Sequence, residues 1–203
     1  MDARGRTTHG AVAESKAQRL NYDGFPLLSL PILQTENLMT QQEKSLTMTV
    51  LMTPDMANFS GNVHGGSLLK LLDQVAYACA AKYCKKYVVT AALDQVFFKQ
   101  QVHVGELVTF YAHVNYVGHS SMEVGVKVFA EDLRTDQKRH TTSCYFTMVA
   151  MDEHGQTVEV PRLQLDNDVE KKLYEAARLR KQLRQESLER NRALHVDIPK
   201  DGL

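Results

Sequence analysis

The spacing of apolar and polar positions changes several times along the chain, and each change marks an element. "KSLTMTVLMT" (Lys44 to Thr53) is rich in β-branched and apolar residues and is closed by Pro54, which predicts a strand. Pro54 to Gly66 is turn chemistry: Pro, Asp, Asn, Ser and three glycines. From Ser67 the spacing becomes helical. Leu68, Leu69, Leu72, Val75, Ala76, Cys79, Ala80 and Tyr83 recur at three- and four-residue steps. The breadth of that apolar face predicts a well-buried helix, yet it carries one acid, Asp73.

Beyond Lys86 the period becomes two. "YVVTAALDQVFF" predicts a strand ending in an aromatic pair. In "ELVTFYAHVNYV", Val108, Phe110, Ala112 and Val114 share one face. "SMEVGVKVFA" places Met122, Val124, Val126, Val128 and Ala130 on one face, with Glu123 and Lys127 on the other. "RHTTSCYFTMVAM" alternates Cys144, Phe146 and Met148 with Tyr145, Thr147 and Val149. Gly105, Gly118 and "RTDQ" supply turns. The expectation is an α+β fold: an antiparallel meander whose apolar face receives the helix.

Both ends differ in character. Residues 1–42 mix Gly, Ser, Thr and charges around one apolar run, "FPLLSLPIL" (Phe25 to Leu33), and read as a mobile leader with a short docking segment. The central domain is expected over residues 43–161. Residues 162–203 are expected to hold a charged outer helix, beyond the sheet, with a sparse stripe of Val169, Leu173, Ala176 or Ala177, Leu183 and Leu188. Its charges read as a solvated face with i,i+4 pairs.

Composition removes whole classes of function. The 203 residues carry 24 Lys+Arg and 24 Asp+Glu, so no global charge favours nucleic acid or an anionic membrane. No apolar stretch approaches the roughly 20 residues of a membrane span. The three cysteines, Cys79, Cys84 and Cys144, have no framework spacing and read as core thiols of a reducing, cytoplasmic compartment. Arg4, Arg6 and Arg19 among small residues resemble a transit peptide, against which Asp2 and Glu14 count.

Candidate chemistry gathers at the loop-to-helix junction. The first-turn N–H groups of a helix lack intrahelical acceptors, and its N-terminus carries partial positive charge. Gly65 and Gly66 there would let another molecule approach those amides, as an oxyanion requires. They would equally serve a tight turn. Asp73 follows Gly66 by seven residues, about two turns, so it shares a face with the helix start. On such a face desolvation raises a carboxyl pKa unless a donor satisfies it. Asp73 reads either as a structural acid or as a general base or nucleophile. His64, before the glycines, is a loop residue or a catalyst.

Several other templates fail. "HGGS" resembles a lipase oxyanion loop, but no G-x-S-x-G elbow exists in the chain. The eight histidines show no H-x-H, H-x-x-x-H or H-E-x-x-H spacing, so no metal is expected. Neither a P-loop nor a dinucleotide fingerprint is present.

"PDMANFSGNVHGGSLLKLLDQVAYACAAKY", "VFFKQQVHVGELVTFYAHVNYVGHSSMEVGVKV" and "CYFTMVAM" resemble, in order and spacing, the hotdog-fold acyl-CoA thioesterases, nearest the broad-range bacterial hydrolases related to the brain-type acyl-CoA hydrolase. The resemblance covers about Lys44 to Pro161. It implies one long helix wrapped by an antiparallel sheet, and subunits that pair their sheets, commonly as trimers of dimers. Asp73 would be the catalytic carboxylate and Asn58 its partner from the opposite subunit. Choosing Asn58 over Asn62 rests on the family pattern. The amides of His64, Gly65 and Gly66 would polarise the thioester carbonyl. Gly118, His119, Ser120, Ser121 and Met122 would line the coenzyme A tunnel, although they also suit a plain hairpin turn. Arg139 or Lys99 would meet phosphates, and Tyr77, Phe97, Phe98 and Met122 the acyl chain. The implied reaction takes fatty acyl-CoA to free acid and coenzyme A with no further cofactor; family members also include nucleotide-regulated ones. A hotdog hydratase or dehydratase would need a His where Asn58 stands. An acyl-CoA or nucleotide sensor on the same fold is the non-enzymatic alternative.

Overall fold

A computed structural model of the chain describes residues 42–194. The leader, its docking segment and the C-terminal tail fall outside the described residues. Five strands, β1 (Ser45–Leu51), β2 (Tyr87–Leu93), β3 (Leu107–Val117), β4 (Ser121–Asp132) and β5 (Gln137–Met151), form one antiparallel sheet in the order β1-β3-β4-β5-β2. Strands β3 to β5 are the expected meander. The strands before and after the first helix, β1 and β2, lie at opposite edges. Helix α1 (Gly65–Cys84) connects them and packs against all five strands.

That packing follows from the two periods in the sequence. Val108, Phe110, Ala112 and Val114 of β3, Met122 to Ala130 at alternate positions of β4, and Cys144, Phe146 and Met148 of β5 point to one side. Leu72, Val75, Ala76 and Cys79 of α1 meet them, and none of these residues is more than 2% exposed. Each large side chain so buried contributes about 2 kcal/mol. Cys79, Cys84 and Cys144 are all buried and unpaired, and burial pushes the thiols of Cys79 and Cys144 up to about 12.

The structure departs from the pattern in three places. The helix begins at Gly65, two residues before the apolar period, because His64 caps it. Strand β2 ends at Leu93 after a register shift between Thr90 and Ala92, so Asp94 to Phe98 is irregular rather than strand. The third concerns the expected outer helix, which is present but held by other contacts than its apolar stripe. Helix α2 (Asp168–Ala193), N-capped by Asn167, lies over the outer face of the sheet with Ala177 as its one buried residue. Of the expected stripe, Val169, Leu183 and Leu188 are exposed. Ion pairs hold α2 instead: Lys44 with Asp166 and Glu170, Arg180 with Glu123, and Arg184 with Asp94. Glu123, expected to face water opposite the apolar side of β4, is therefore buried, whereas Lys127 is exposed.

A further ion pair anchors the segment ahead of β3. Arg139 of β5 places Nη1 and Nη2 each 2.7 Å from the Glu106 carboxylate, which also accepts the His103 amide at 2.9 Å. Burial raises the Glu106 carboxyl, but the Arg139 and His103 donors outweigh it and hold the group below its ordinary 4.5. A depressed carboxylate stabilises the fold fully above its unfolded pKa, and that contribution is lost as pH falls through the lowered folded value. Thermal melts should therefore drop as the pH falls below about 4.5, and Glu106→Gln should cost about 2 kcal/mol at neutral pH while flattening the acid limb of the profile.

Candidate active site

The loop before α1 is built on Asn58. Its side-chain oxygen accepts the amides of Ser60 (2.9 Å) and Asn62 (3.2 Å), and its own amide donates to the Asn62 carbonyl at 2.7 Å. Both side-chain partners are N–H donors, so the oxygen faces the loop and the NH2 group is the end left over. Gly61 closes the turn with φ +77°. Asn62 Oδ1 lies 2.8 Å from Nδ1 of His103, and Val63 donates to the Val102 carbonyl, so the loop is bound to the segment that Glu106 anchors. The side-chain oxygen of Asn62 is thus engaged with His103, as that of Asn58 is with its own loop, and each side chain keeps an NH2 group with no acceptor among the described residues.

At the helix start the three candidate amides differ. The His64 N–H donates to the Met56 carbonyl at 2.7 Å, and the Gly66 N–H donates to Nδ1 of His64 at 2.8 Å. Only the Gly65 N–H of the three has no acceptor among the described residues. The glycines also differ in purpose. A Cβ on Gly66 would stand 3.0 Å from the His64 ring, so this glycine makes room for the capping imidazole. A Cβ on Gly65 would meet only the edge of Phe98, at 3.7 Å.

Asp73 stands at the rim of the buried face of α1, one turn before the exposed Tyr77. In the single chain it is exposed, so the burial expected from its helical position is not supplied by its own sheet. The expected alternative, a satisfying donor, is present: Thr90 of β2 donates its hydroxyl to Asp73 Oδ1 at 2.6 Å. Sequence reading passed over Thr90, since a strand threonine carries no local mark of the acid it meets seventeen residues away. Asn58 and Asp73 are not hydrogen-bonded to each other within the chain.

Gly118 to Ser120 form the β3–β4 hairpin turn, closed by the Gly118 N–H to the Ser121 carbonyl at 2.7 Å, and Ser121 and Met122 open β4. His119 and Ser120 carbonyls accept the amides of Val160 and Ala150. Met122 differs from the others: strand alternation turns its side chain into the core, where it is 1% exposed. It is therefore not open to a ligand on the surface of this chain. Arg139 is taken by Glu106 and the Gln101 carbonyl, which removes it as a free phosphate contact. Tyr77, Phe97 and Phe98 are exposed.

Other chemistries find little support. No group of three His, Cys, Asp or Glu is placed to hold a metal ion among the described residues. Ser143 lies 2.8 Å from His140 Nε2, but no carboxylate among the described residues orients that imidazole. No helix among the described residues is long and apolar enough to cross a membrane.

Comparison with known proteins joins this geometry to a family. The thioesterase superfamily model matches residues 60–136. Protein VdlD of Helicobacter pylori is 48% identical over 145 residues, which span 71% of this chain and 83% of that protein. The cytosolic acyl coenzyme A thioester hydrolase of Homo sapiens is 34% identical, over 71% of this chain and 38% of that protein. Among solved structures, an apo-hexameric acyl-CoA thioesterase superposes with TM-score 0.69 at 36% identity, covering 72% of this chain and 94% of the other. An acyl-CoA hydrolase from Staphylococcus aureus, in complex with butyryl coenzyme A, coenzyme A and coenzyme A disulfide, gives TM-score 0.68 at 30% identity, covering 75% and 93%. That hydrolase has also been solved as single alanine variants of an Asn, an Asp fifteen residues later and a Thr seventeen residues beyond the Asp. The chain belongs to the hotdog-fold acyl-CoA thioesterases of the thioesterase superfamily.

Proposed function

We propose that the protein hydrolyses fatty acyl-CoA thioesters to free acid and coenzyme A, at a site in which Asp73 of one subunit works with Asn58 of another. One observation carries the assignment. Asn58, Asp73 and the Thr90 that donates to it are separated by fifteen and seventeen residues, the intervals of the three residues substituted in the Staphylococcus aureus hydrolase.

The chemistry suits these groups. Water adds to the thioester carbonyl as its proton passes to Asp73, and the C–S bond breaks as the oxyanion collapses. The thiolate departs and takes up the proton. It is a good leaving group, so no serine–histidine nucleophile is required. The developing oxyanion needs preorganised donors, and the Gly65 N–H and Asn58 NH2 are two that the loop leaves unspent. Thr90 fixes Asp73 through one carboxylate oxygen, which leaves the other for the water. Direct attack by Asp73 is the competing route: it forms a mixed anhydride and expels the thiolate. In a single turnover, ¹⁸O-water attacking the Asp73 carbonyl of that anhydride leaves label in the carboxyl, where the general-base route never places it. Coenzyme A is part of substrate and product, so this scheme draws on no cofactor.

Assembly from two subunits is supported by what a single chain leaves uncovered. β2 is an edge strand with Tyr87 and Leu93 exposed, and Tyr77, Phe59, Phe97 and Phe98 are exposed as well. A second copy set against this side would desolvate Asp73. A trimer of such dimers is the assembly we infer from the hexameric thioesterases that resemble the chain. Unpaired, buried cysteines support a reducing, cytoplasmic setting.

Thiol release from a panel of acyl-CoAs tests the reading. Asp73→Ala and Asn58→Ala should each lower kcat by roughly 100-fold or more. Unchanged hydrolysis in the Asp73 variant would sink the mechanism, and wild-type coenzyme A binding without hydrolysis would favour a sensor. Mixing the two inactive variants should restore part of the activity through hybrid dimers. For Thr90, the Val variant should lose roughly ten-fold in kcat while the Ser variant, which keeps the hydroxyl, stays near wild type.

A further inference from the structure

Helix α2 reaches the neighbourhood of the Gly65 amide by a route that no single contact reveals. Arg184 Nη1 lies 2.7 and 2.9 Å from the two carboxylate oxygens of Asp94. Asp94 opens the irregular segment that follows β2, and its amide donates to the Tyr145 carbonyl at 3.0 Å. The next backbone anchor is the Lys99 amide, which donates to the Thr141 carbonyl at 3.0 Å. Between these two points the described residues make no backbone hydrogen bond to the sheet. Phe98 sits in that stretch, two residues after Val96, whose half-buried side chain packs on the core, and its ring edge is the group 3.7 Å from where a Cβ would stand on Gly65.

One turn before Arg184, Arg180 strengthens the same contact. Its guanidinium pairs with the buried Glu123 at 2.6 and 3.1 Å and lies 3.6 Å from the centroid of the Tyr145 ring. Tyr145 is the residue whose carbonyl receives the Asp94 amide. Two successive turns of α2 therefore grip β4, β5 and the start of the 94–98 segment together.

We propose that Arg184 is a positioning residue: through its pair with Asp94, helix α2 sets the 94–98 segment so that Phe98 flanks Gly65 beside its free amide. This rests on the reading of Gly65 as a donor to the thioester oxygen. A partly exposed ion pair adds little to global stability. It matters here because a segment with few anchors opens at small local cost. An apolar ring held beside Gly65 makes the surroundings of the amide poorer in water, and an oxyanion gains most from a donor in such a setting.

The chain contains no tryptophan, so Phe98→Trp supplies a single indole at this position. In that background Arg184→Gln should red-shift the emission and raise its quenching by acrylamide. In the parent background the same change should lower kcat roughly ten-fold while KM moves less, with the melting temperature nearly unmoved. Asp94→Asn should reproduce both effects, which also covers any misfolding of the Arg184 variant. Arg184→Lys should retain the parent behaviour, because one nitrogen makes both contacts. Quenching and kcat within two-fold of the parent in both Arg184→Gln and Asp94→Asn would overturn the proposal. An indole that responds while kcat holds would overturn its catalytic part and leave hydrolysis by Asp73, tested by its own variants, standing.

Discussion

Helix α1 has to satisfy two demands with one rotation about its axis. Its apolar face, from Leu68 to Cys84, must meet the inner sides of all five strands, because β1 and β2 lie at opposite sheet edges and α1 is the element that joins them. Turning the helix to bury Leu72, Val75, Ala76 and Cys79 leaves Asp73 at the rim, beside β2. The position of the carboxylate is thus a consequence of core packing. Any rotation that buried Asp73 in its own core would expose a large apolar side chain and leave a charge to desolvate.

The loop ahead of the helix shows the same economy of groups. Most of its polar atoms are engaged internally: the Asn58 oxygen by two amides, the Asn62 side chain by His103, the His64 ring by Gly66 and the His64 amide by Met56. Among those that remain are the Gly65 N–H and the NH2 groups of Asn58 and Asn62, all donors. Donors kept free at a helix start suit a developing negative charge. The acceptors stand about two turns along α1, in the Asp73 carboxylate, one of whose oxygens is held by Thr90. The donor and acceptor halves are not joined within one chain, which is why two copies are needed in the proposed site.

Charge pairing decides the outer face of the sheet. Helix α2 buries Ala177 alone and is placed by Lys44, Arg180 and Arg184 gripping partners on the sheet and its margins. An element held this way adds direction more than stability, since partly exposed ion pairs contribute little each. Arg184 turns that direction toward the 94–98 segment and Phe98.

The alternation of Val108, Phe110, Ala112 and Val114, and the three- and four-residue steps from Leu68 to Tyr83, determined strands, helix and buried faces. Hydrophobic period is a local property of the chain, and burial follows it. The glycines, His64 and Asp73 marked the junction as a candidate for chemistry through residue type alone. What only the tertiary structure decided are relations across sequence: Thr90 reaching Asp73, His103 occupying Asn62, His64 consuming the Gly66 amide, Glu123 drawn under Arg180. Hydrogen-bond partnership and exposure depend on which strand edge lies beside which helix flank. No periodicity encodes that, and so Asp73, readable as an acid on an apolar helix, became an exposed and oriented one only in the fold.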